Sequence, residues 1–335
     1  MGSLISLPVR SPRWDLSYRG VSLTAKVSGM VISITYTSEV EKLSPEMEVE
    51  FEDRDKRWQG PWFPIRGDLV TLNIGYEHEK LVPCGDFEVD SVELKGPPDT
   101  VHMKCLAAGI KPSLRTANTT AYENLTVTEI AGAIAKKHGY TLKAEPETIN
   151  PKIERMTQKN QTDLEFLREL AEDHNYNFAV RPPQLIFTSK TRLEARPSVA
   201  TIKRTEVERF RFEAKTHQLY KSAQVTYQDP ATKKLISAVF NADRPVPTGD
   251  VLKLQQRAEN GQQAKQLAIA ALHRNNMNET TGSLAMPGNV AMASGNIVDI
   301  SGFGQFDSRF LITTARHRLE RSSGYTTELE VRSVE

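Results

Sequence analysis

Residues 46–52 read Glu46-Met47-Glu48-Val49-Glu50-Phe51-Glu52, acid and apolar in strict turn. In an extended chain successive side chains point to opposite faces, so this stretch has a dry face of Met47, Val49 and Phe51 and a charged face of Glu46, Glu48, Glu50 and Glu52. A helix would scatter both sets around its axis. The same alternation surrounds it in VISITY (31–36), DLVTLNIGY (68–76) and DFEVDSVEL (86–94). Gly60-Pro61, Arg66-Gly67-Asp68, Cys84-Gly85-Asp86 and Gly96-Pro97-Pro98-Asp99 punctuate these runs as turns. The first third is therefore predicted to be a small antiparallel barrel or sandwich. Arg66-Gly67-Asp68 is spelled like an adhesion tripeptide, but turn chemistry between two strands accounts for it.

Beyond about residue 115 the period changes. TVTEIAGAIAKKHGY pairs Thr126 with Glu129 as a capping box, carries an apolar stripe through Ile130 and Ile134, and stops at Gly139. TDLEFLRELAEDHNY repeats the device with Thr162, Glu165, Leu167, Leu170 and a stop at Asn175. Thr126/Thr162, Glu129/Glu165, Ala135/Ala171, His138/His174 and Tyr140/Tyr176 keep a constant offset of 36 residues. Each helix runs into a strand-like segment, which argues against a helical solenoid. Shared capping grammar and true duplication both account for the offset. Alternation returns in EVERFRFE, SAQVTYQD and KLISAVF. One helix follows, with Ala264, Leu267, Ala268, Ala271 and Leu272 on its apolar side, and then RFLITTARHRLE and YTTELEVRS. The reading is a mainly β chain with an α+β insertion: a β domain over 1–115, a small α/β domain with two capped helices over 116–195, and a β domain with one packed helix over 196–335.

The 335 residues are 39% apolar and 25% charged, and 43 basic against 42 acidic side chains leave a net charge of +1. That balance lacks the footprint of a dedicated nucleic-acid binder. No run reaches the ~18 apolar residues of a spanning helix, and the first residues lack the order of a secretion signal. The chain is expected to be cytosolic where it is made. Cys84 and Cys105 are too far apart for Cys-x-x-Cys chemistry and are expected to be buried thiols. The Asn-x-Thr triplets at Asn118, Asn124, Asn160 and Asn278 would matter only in a secreted eukaryotic protein.

The search for a catalytic constellation is nearly empty. His78-Glu79 has no second histidine at helical spacing, and no nucleophile elbow or phosphate-binding loop is present. Gly302-Phe303-Gly304 reads as a hairpin. Asp163 with Glu165, or Glu172 with Asp173, could be proposed as the acid and base of glycan cleavage, but they read more simply as a helix's first turn and its solvated face. His138 and His174 read as helix C-terminal caps. No catalytic residue, cofactor or metal site is assigned. Glu46, Glu48, Glu50 and Glu52 remain as a charged strip facing bulk water, a channel or a basic partner.

Several stretches in order, MEVEFEDRDKRW, RGDLVTLNIGY, LVPCGDFEVDSVELKGPPDTVHMKCLAA, NQTDLEFLRELAEDHNYNF and PGNVAMASGNIVDISGFGQFDSRFLITTARHRLERSSGYTTELEV, resemble the phage late control D family. The similarity runs from about Leu16 to Val331. Those proteins are baseplate hubs of contractile tails and tail-like bacteriocins, related to the hub part of type VI secretion spikes. The resemblance implies a structural homotrimer whose subunits each carry two tube-like β-barrel domains. It implies a symmetry adaptor between a six-fold tail tube or its initiator and a trimeric membrane-piercing spike. Further partners implied are the tape-measure C-terminus and baseplate wedge proteins, with no membrane and no sequence-specific nucleic acid. Assembly in the bacterial host cytoplasm and then residence in the tail baseplate follow. The chain ends directly after a strand, so neither a fused lysozyme nor a fused spike is expected. The acidic strip would face the lumen. Two alternatives of other classes are a tail-associated cell-wall-degrading enzyme and a carbohydrate-binding component, the latter using Trp58 and Trp62 around Gly60-Pro61.

Overall fold

The structure is a computed structural model and describes residues 10–228, 233–242, 246–254, 258 and 260–334. The outermost residues of the first and last predicted domains, 1–9 and Glu335, lie outside it. The first β part comprises β1 (Pro12–Tyr18), β2 (Val21–Ser22), the single turn α1 (Thr24–Val27), β3 (Val31–Glu39), β4 (Glu46–Glu52), β5 (Leu69–Tyr76), β6 (Val82–Lys95) and β7 (Thr100–Ala107). Their dry faces converge on one core in which Phe51 stacks on Trp58 at 4.0 Å between ring centroids. Burying each such ring contributes roughly 2–3 kcal/mol.

Next come β8 (Ala117–Leu125), α2 (Val127–Lys137), β9 (Thr141–Glu145), β10 (Ile153–Thr162), α3 (Asp163–Asp173), β11 (Tyr176–Arg181), β12 (Gln184–Ser189) and α4 (Lys190–Glu194). Both predicted capping boxes are formed, and both stops are left-handed, Gly139 at φ +69° and Asn175 at φ +65°. The 36-residue offset corresponds to two strand–helix–strand units, β8-α2-β9 and β10-α3-β11, whose first strands pair with each other.

The remainder holds β13 (Ser198–Lys203), β14 (Arg209–Ala214), β15 (Ser222–Gln228), β16 (Leu235–Asn241), β17 (Val251–Leu254), α5 (Gly261–Asn276), β18 (Thr280–Pro287), β19 (Ile297–Ser301), β20 (Ser308–Glu320) and β21 (Gly324–Ser333). Here the sequence reading needs correction. SAQVTYQ and KLISAVF are not strands of the second large β unit; with β17 they form a separate three-stranded sheet, β16-β15-β17, and Asp229, the last residue of the predicted SAQVTYQD run, lies outside the described residues. The helix carrying Ala264 to Leu272 packs on that sheet and not on the strands of the second large β unit. Ala264, Leu267, Ala268 and Leu272 bury against Ala223 and Val225, so the apolar stripe has a partner inserted between β14 and β18.

Among the described residues the other strands of the two β parts join in one thirteen-stranded sheet. The first part is ordered β1-β5-β6-β7-β4-β3, and the second β13-β19-β20-β21-β18-β14. Counted along the chain within each part, both orders are first, fourth, fifth, sixth, third, second. Details repeat as well. A bulge interrupts β6 between Val89 and Ser91 and β20 between Ile312 and Thr314. Gly67 donates to the Val89 carbonyl at 2.8 Å and Gly295 to that of Ile312 at 2.8 Å, while Val89 and Ile312 donate back to Asp68 and Asn296. Both glycines sit at φ near +87°, which side chains rarely adopt. One difference stands out: β1 runs antiparallel to β5, whereas β13 runs parallel to β19. The parts meet where β3 pairs with the C-terminal half of β20, from Ser33↔Glu320 to Glu39↔Thr314.

Candidate functional site

The alternation of β4 is realised as read: Met47, Val49 and Phe51 are fully buried while the glutamates between them are partly exposed. The four glutamates are not an isolated acidic strip, however, because neighbouring elements supply basic and polar partners. Glu46 lies 3.2 Å from Lys104 Nζ and 3.5 Å from Lys42 Nζ. His102 Nε2 is 3.6 Å from Glu48, and Arg321 Nη1 is 3.1 Å from Glu52. The hydrogen bonds from Arg321 and Arg54 hold the Glu52 carboxyl below its ordinary range. Glu50 is placed in register between Ser33 of β3 and His102 of β7.

The polar face continues through the β3–β20 seam. Arg316 and Arg318 stand opposite Thr37 and Thr35, and Arg316 lies 3.6 Å from Glu328. Glu328 in turn is 3.9 Å from Arg209 on β14. One face of the sheet thus carries carboxylates and cations in alternation across both parts, with little net charge. Depressions in it are lined by side chains such as Arg211, Glu213, Thr281 and Glu330. Exposed pairs of this kind each contribute ~0–1 kcal/mol, so their role is to define a wet, charge-balanced surface.

Behind the seam lies a polar cluster that the sequence did not announce. His317 is buried, stacks on Tyr36 at 6.0 Å, and faces Tyr325. Burial pushes its pKa down to about 4, so the ring is neutral. The Tyr76 hydroxyl donates to the Gly288 carbonyl at 2.8 Å, tying β5 of the first part to the turn after β18 of the second.

The other candidates separate cleanly. Asp163 is fully buried and accepts from Asn118, Gln158, Lys137 and His138, the last at 2.6 Å. Desolvation alone would raise its pKa, but these donors outweigh it and hold the carboxyl well below the usual range. Four donors enclosing a fully buried carboxylate make a structural anchor rather than a substrate-facing acid. Its neighbour Glu165 belongs to the capping box, while Asp173 lies 3.9 Å from Arg274. His138 and His174 are the C-caps of α2 and α3, as read. His174 departs from the cationic role expected there, because burial lowers its pKa and leaves the ring neutral. Cys84 and Cys105 are free and buried, and desolvation pushes both thiols up to about 12. Trp58 is 5% exposed and meets Trp62 edge-on at 5.7 Å, bracing the turn. Among the described residues no three His, Cys, Asp or Glu side chains converge as a metal site, and no helix is long and apolar enough to cross a membrane.

Comparison with known proteins agrees with this geometry. The family model described as phage tail baseplate hub (GPD) matches residues 64–323. The probable baseplate hub protein of Escherichia phage 186 is 25% identical over 177 residues, which span 53% of this chain and 45% of that one, so the match covers about half of each. Among solved structures, the 43 kDa tail protein of prophage MuSo2 from Shewanella oneidensis superposes with a TM-score of 0.72 at 15% identity, over 96% of this chain and 98% of that one. The c3393 protein of E. coli, a component of the type VI secretion system, gives 0.58 at 12% identity over 96% and 77%. At such identities these structures establish the shared fold.

Proposed function

From its membership of the phage tail baseplate hub (GPD) family, to which the chain belongs by the match over residues 64–323, we propose that it works as a homotrimeric symmetry adaptor. The protein is a structural component of a tail baseplate, in a phage or a tail-like particle, and not an enzyme. The finer reading is that the β parts within 1–115 and 196–335 act as two tube-like barrel units, with the α/β segment 116–195 to one side. Three chains then offer six similar units to a six-fold tail tube, while differences between the units keep true three-fold symmetry toward a trimeric spike.

The observation that carries this is the common strand order of the two β parts, together with their matching bulges and glycine turns. In a ring built this way, the continuous polar face, including Glu46, Glu48, Glu50 and Glu52, would line the lumen. A charge-balanced lining offers a passing polyanion neither strong attraction nor strong repulsion. Contacts with the tape-measure C-terminus and wedge proteins, and assembly in the host cytoplasm before incorporation, belong to the same proposal. Co-expression with the spike and multi-angle light scattering of the complex tests it. Three hub chains per complex are expected, and any other number overturns the adaptor model.

A further inference from the structure

Strands β15, β16 and β17 and helix α5 stand on the rest of the chain, the body, as an arm. Among the described residues the core of the arm, with Ala223, Val225, Leu267 and Leu272, and every partly buried side chain packed on it come from the arm itself. The chain enters and leaves at adjacent points. Ala214 pairs with Thr280 and Lys215 donates to the Glu279 carbonyl at 2.8 Å, after which Thr216, His217 and Gln218 run exposed into the arm. At its base the arm closes on itself, because the Asn276 side chain accepts from the Tyr220 N–H and donates to the Tyr220 carbonyl, both at 2.9 Å.

Helix α5 is covered on two sides of different character. Ala264, Leu267, Ala268 and Leu272 bury against the arm's own sheet. Gln263, Gln266, Ala270 and His273 follow one another at helical spacing on a second side, where the first three are also buried. This second side meets the body through polar groups. Gln266 lies beside His174 at the end of α3, yet both its amide atoms and His174 Nδ1 find no hydrogen-bond partner of good geometry. Arg274 is 3.9 Å from Asp173. His273 Nε2 lies 2.8 Å from Glu194 of α4, which also accepts from Arg332 of β21. A cleft of about 230 Å³, lined in part by Thr191, Asn241, Met277 and Ser333, opens beside this pair. Apolar burial thus holds the arm together, whereas a few charged contacts and incompletely paired amides hold it to the body. Polar interfaces between units of one chain permit relative motion, unlike a shared apolar core.

We propose that the arm undocks from α3, α4 and β21 as a folded body, turning on the links at 215–219 and 277–279 and latched by the His273–Glu194 contact. Undocking uncovers His174 and the Gln266–His273 side of α5, while Ala268 stays inside the arm's core. Glu194 keeps Arg332 in both states, so no buried carboxylate is orphaned when the arm leaves.

Two substitutions in the full-length chain read the two states: Ala270→Cys on the docked side of α5 and Ala268→Cys in the arm's core. Alkylation with iodoacetamide, resolved peptide by peptide by mass spectrometry, should label Ala270→Cys well ahead of Ala268→Cys, while the buried Cys84 and Cys105 stay unlabelled as markers of global unfolding. Adding His273→Ala cuts the arm's link to Glu194 and leaves Glu194 on Arg332. It should speed labelling of Ala270→Cys by roughly tenfold or more, the effect of losing one hydrogen bond to a charged group, and leave Ala268→Cys unchanged. Diethyl pyrocarbonate on the chain without added cysteines removes any effect of the extra sulfur. His174 should be modified ahead of His138, the equivalent cap of α2, which packs on Ser113 and Asp163 instead, and His273→Ala should widen the difference. Equal labelling of Ala270→Cys and Ala268→Cys, labelling of neither, or a rate for Ala270→Cys that His273→Ala does not raise overturns the proposal, as does protection of His174 equal to that of His138.

Discussion

The Tyr325 hydroxyl lies 2.8 Å from His317 Nδ1, a contact between two buried side chains behind the seam. Nε2 faces the Met292 carbonyl at 3.0 Å and must donate; because burial keeps the ring neutral, Nδ1 is left to accept from the tyrosine.

Stability should therefore fall in acid through His317. Its folded pKa, about 4, lies below the unfolded value near 6.5. The unfolded state binds the proton first, so stability is fully present above about pH 6.5 and is lost as pH falls toward 4, by up to about 3 kcal/mol. Urea unfolding at pH 7 and pH 5 should show this loss in the native chain and a smaller one in His317→Gln.

Gly288→Ala is expected to destabilise by steric overlap. A Cβ there would come within 2.1 Å of the Tyr325 ring, which is itself packed against Tyr76. Overpacking of this kind costs about 1–3 kcal/mol. The double variant Gly288→Ala/Tyr325→Leu should recover part of the loss in thermal melts.

Asp163→Ala should be the costlier of two substitutions in the first turn of α3. It strips the shared acceptor from Asn118, Gln158, Lys137 and His138, and breaking a buried charged network costs about 3 kcal/mol or more. Glu165→Ala removes only a solvent-facing cap and should cost less. Parallel denaturant titrations give the order directly.

Neither cysteine should react in the folded state. With thiol pKa values near 12, the thiolate fraction at pH 8 is negligible. A colorimetric thiol reagent should detect no fast reaction in native protein and two thiols in urea.

Much of the fold was legible because its signals are local. Period-2 alternation located β4, β5 and β6, and the Thr126/Glu129 and Thr162/Glu165 boxes located α2 and α3. The sheet to which a strand belongs is not a local property. SAQVTYQD alternates just as RFLITTARHRLE does, and only tertiary pairing sends the first to a side sheet and the second to the seam. The acidic face of β4 could be read from four residues, but its pairing with Lys104 and Arg321 comes from a strand and a turn remote in sequence. His317 gave no signal, since a lone histidine in a strand looks the same whether dry or wet.

The seam between β3 and β20 also sets a timetable for synthesis. Residues 31–39 leave the ribosome long before residues 314–320, which cover their edge. At ~5–20 residues per second, the nascent first β part waits roughly 15 to 55 s with that edge bare. During this interval another chain's finished β20 could take the place of the chain's own. The same join that makes one molecule continuous could then entangle two, so the order in which chains are completed, as well as their affinity, governs whether hubs form cleanly.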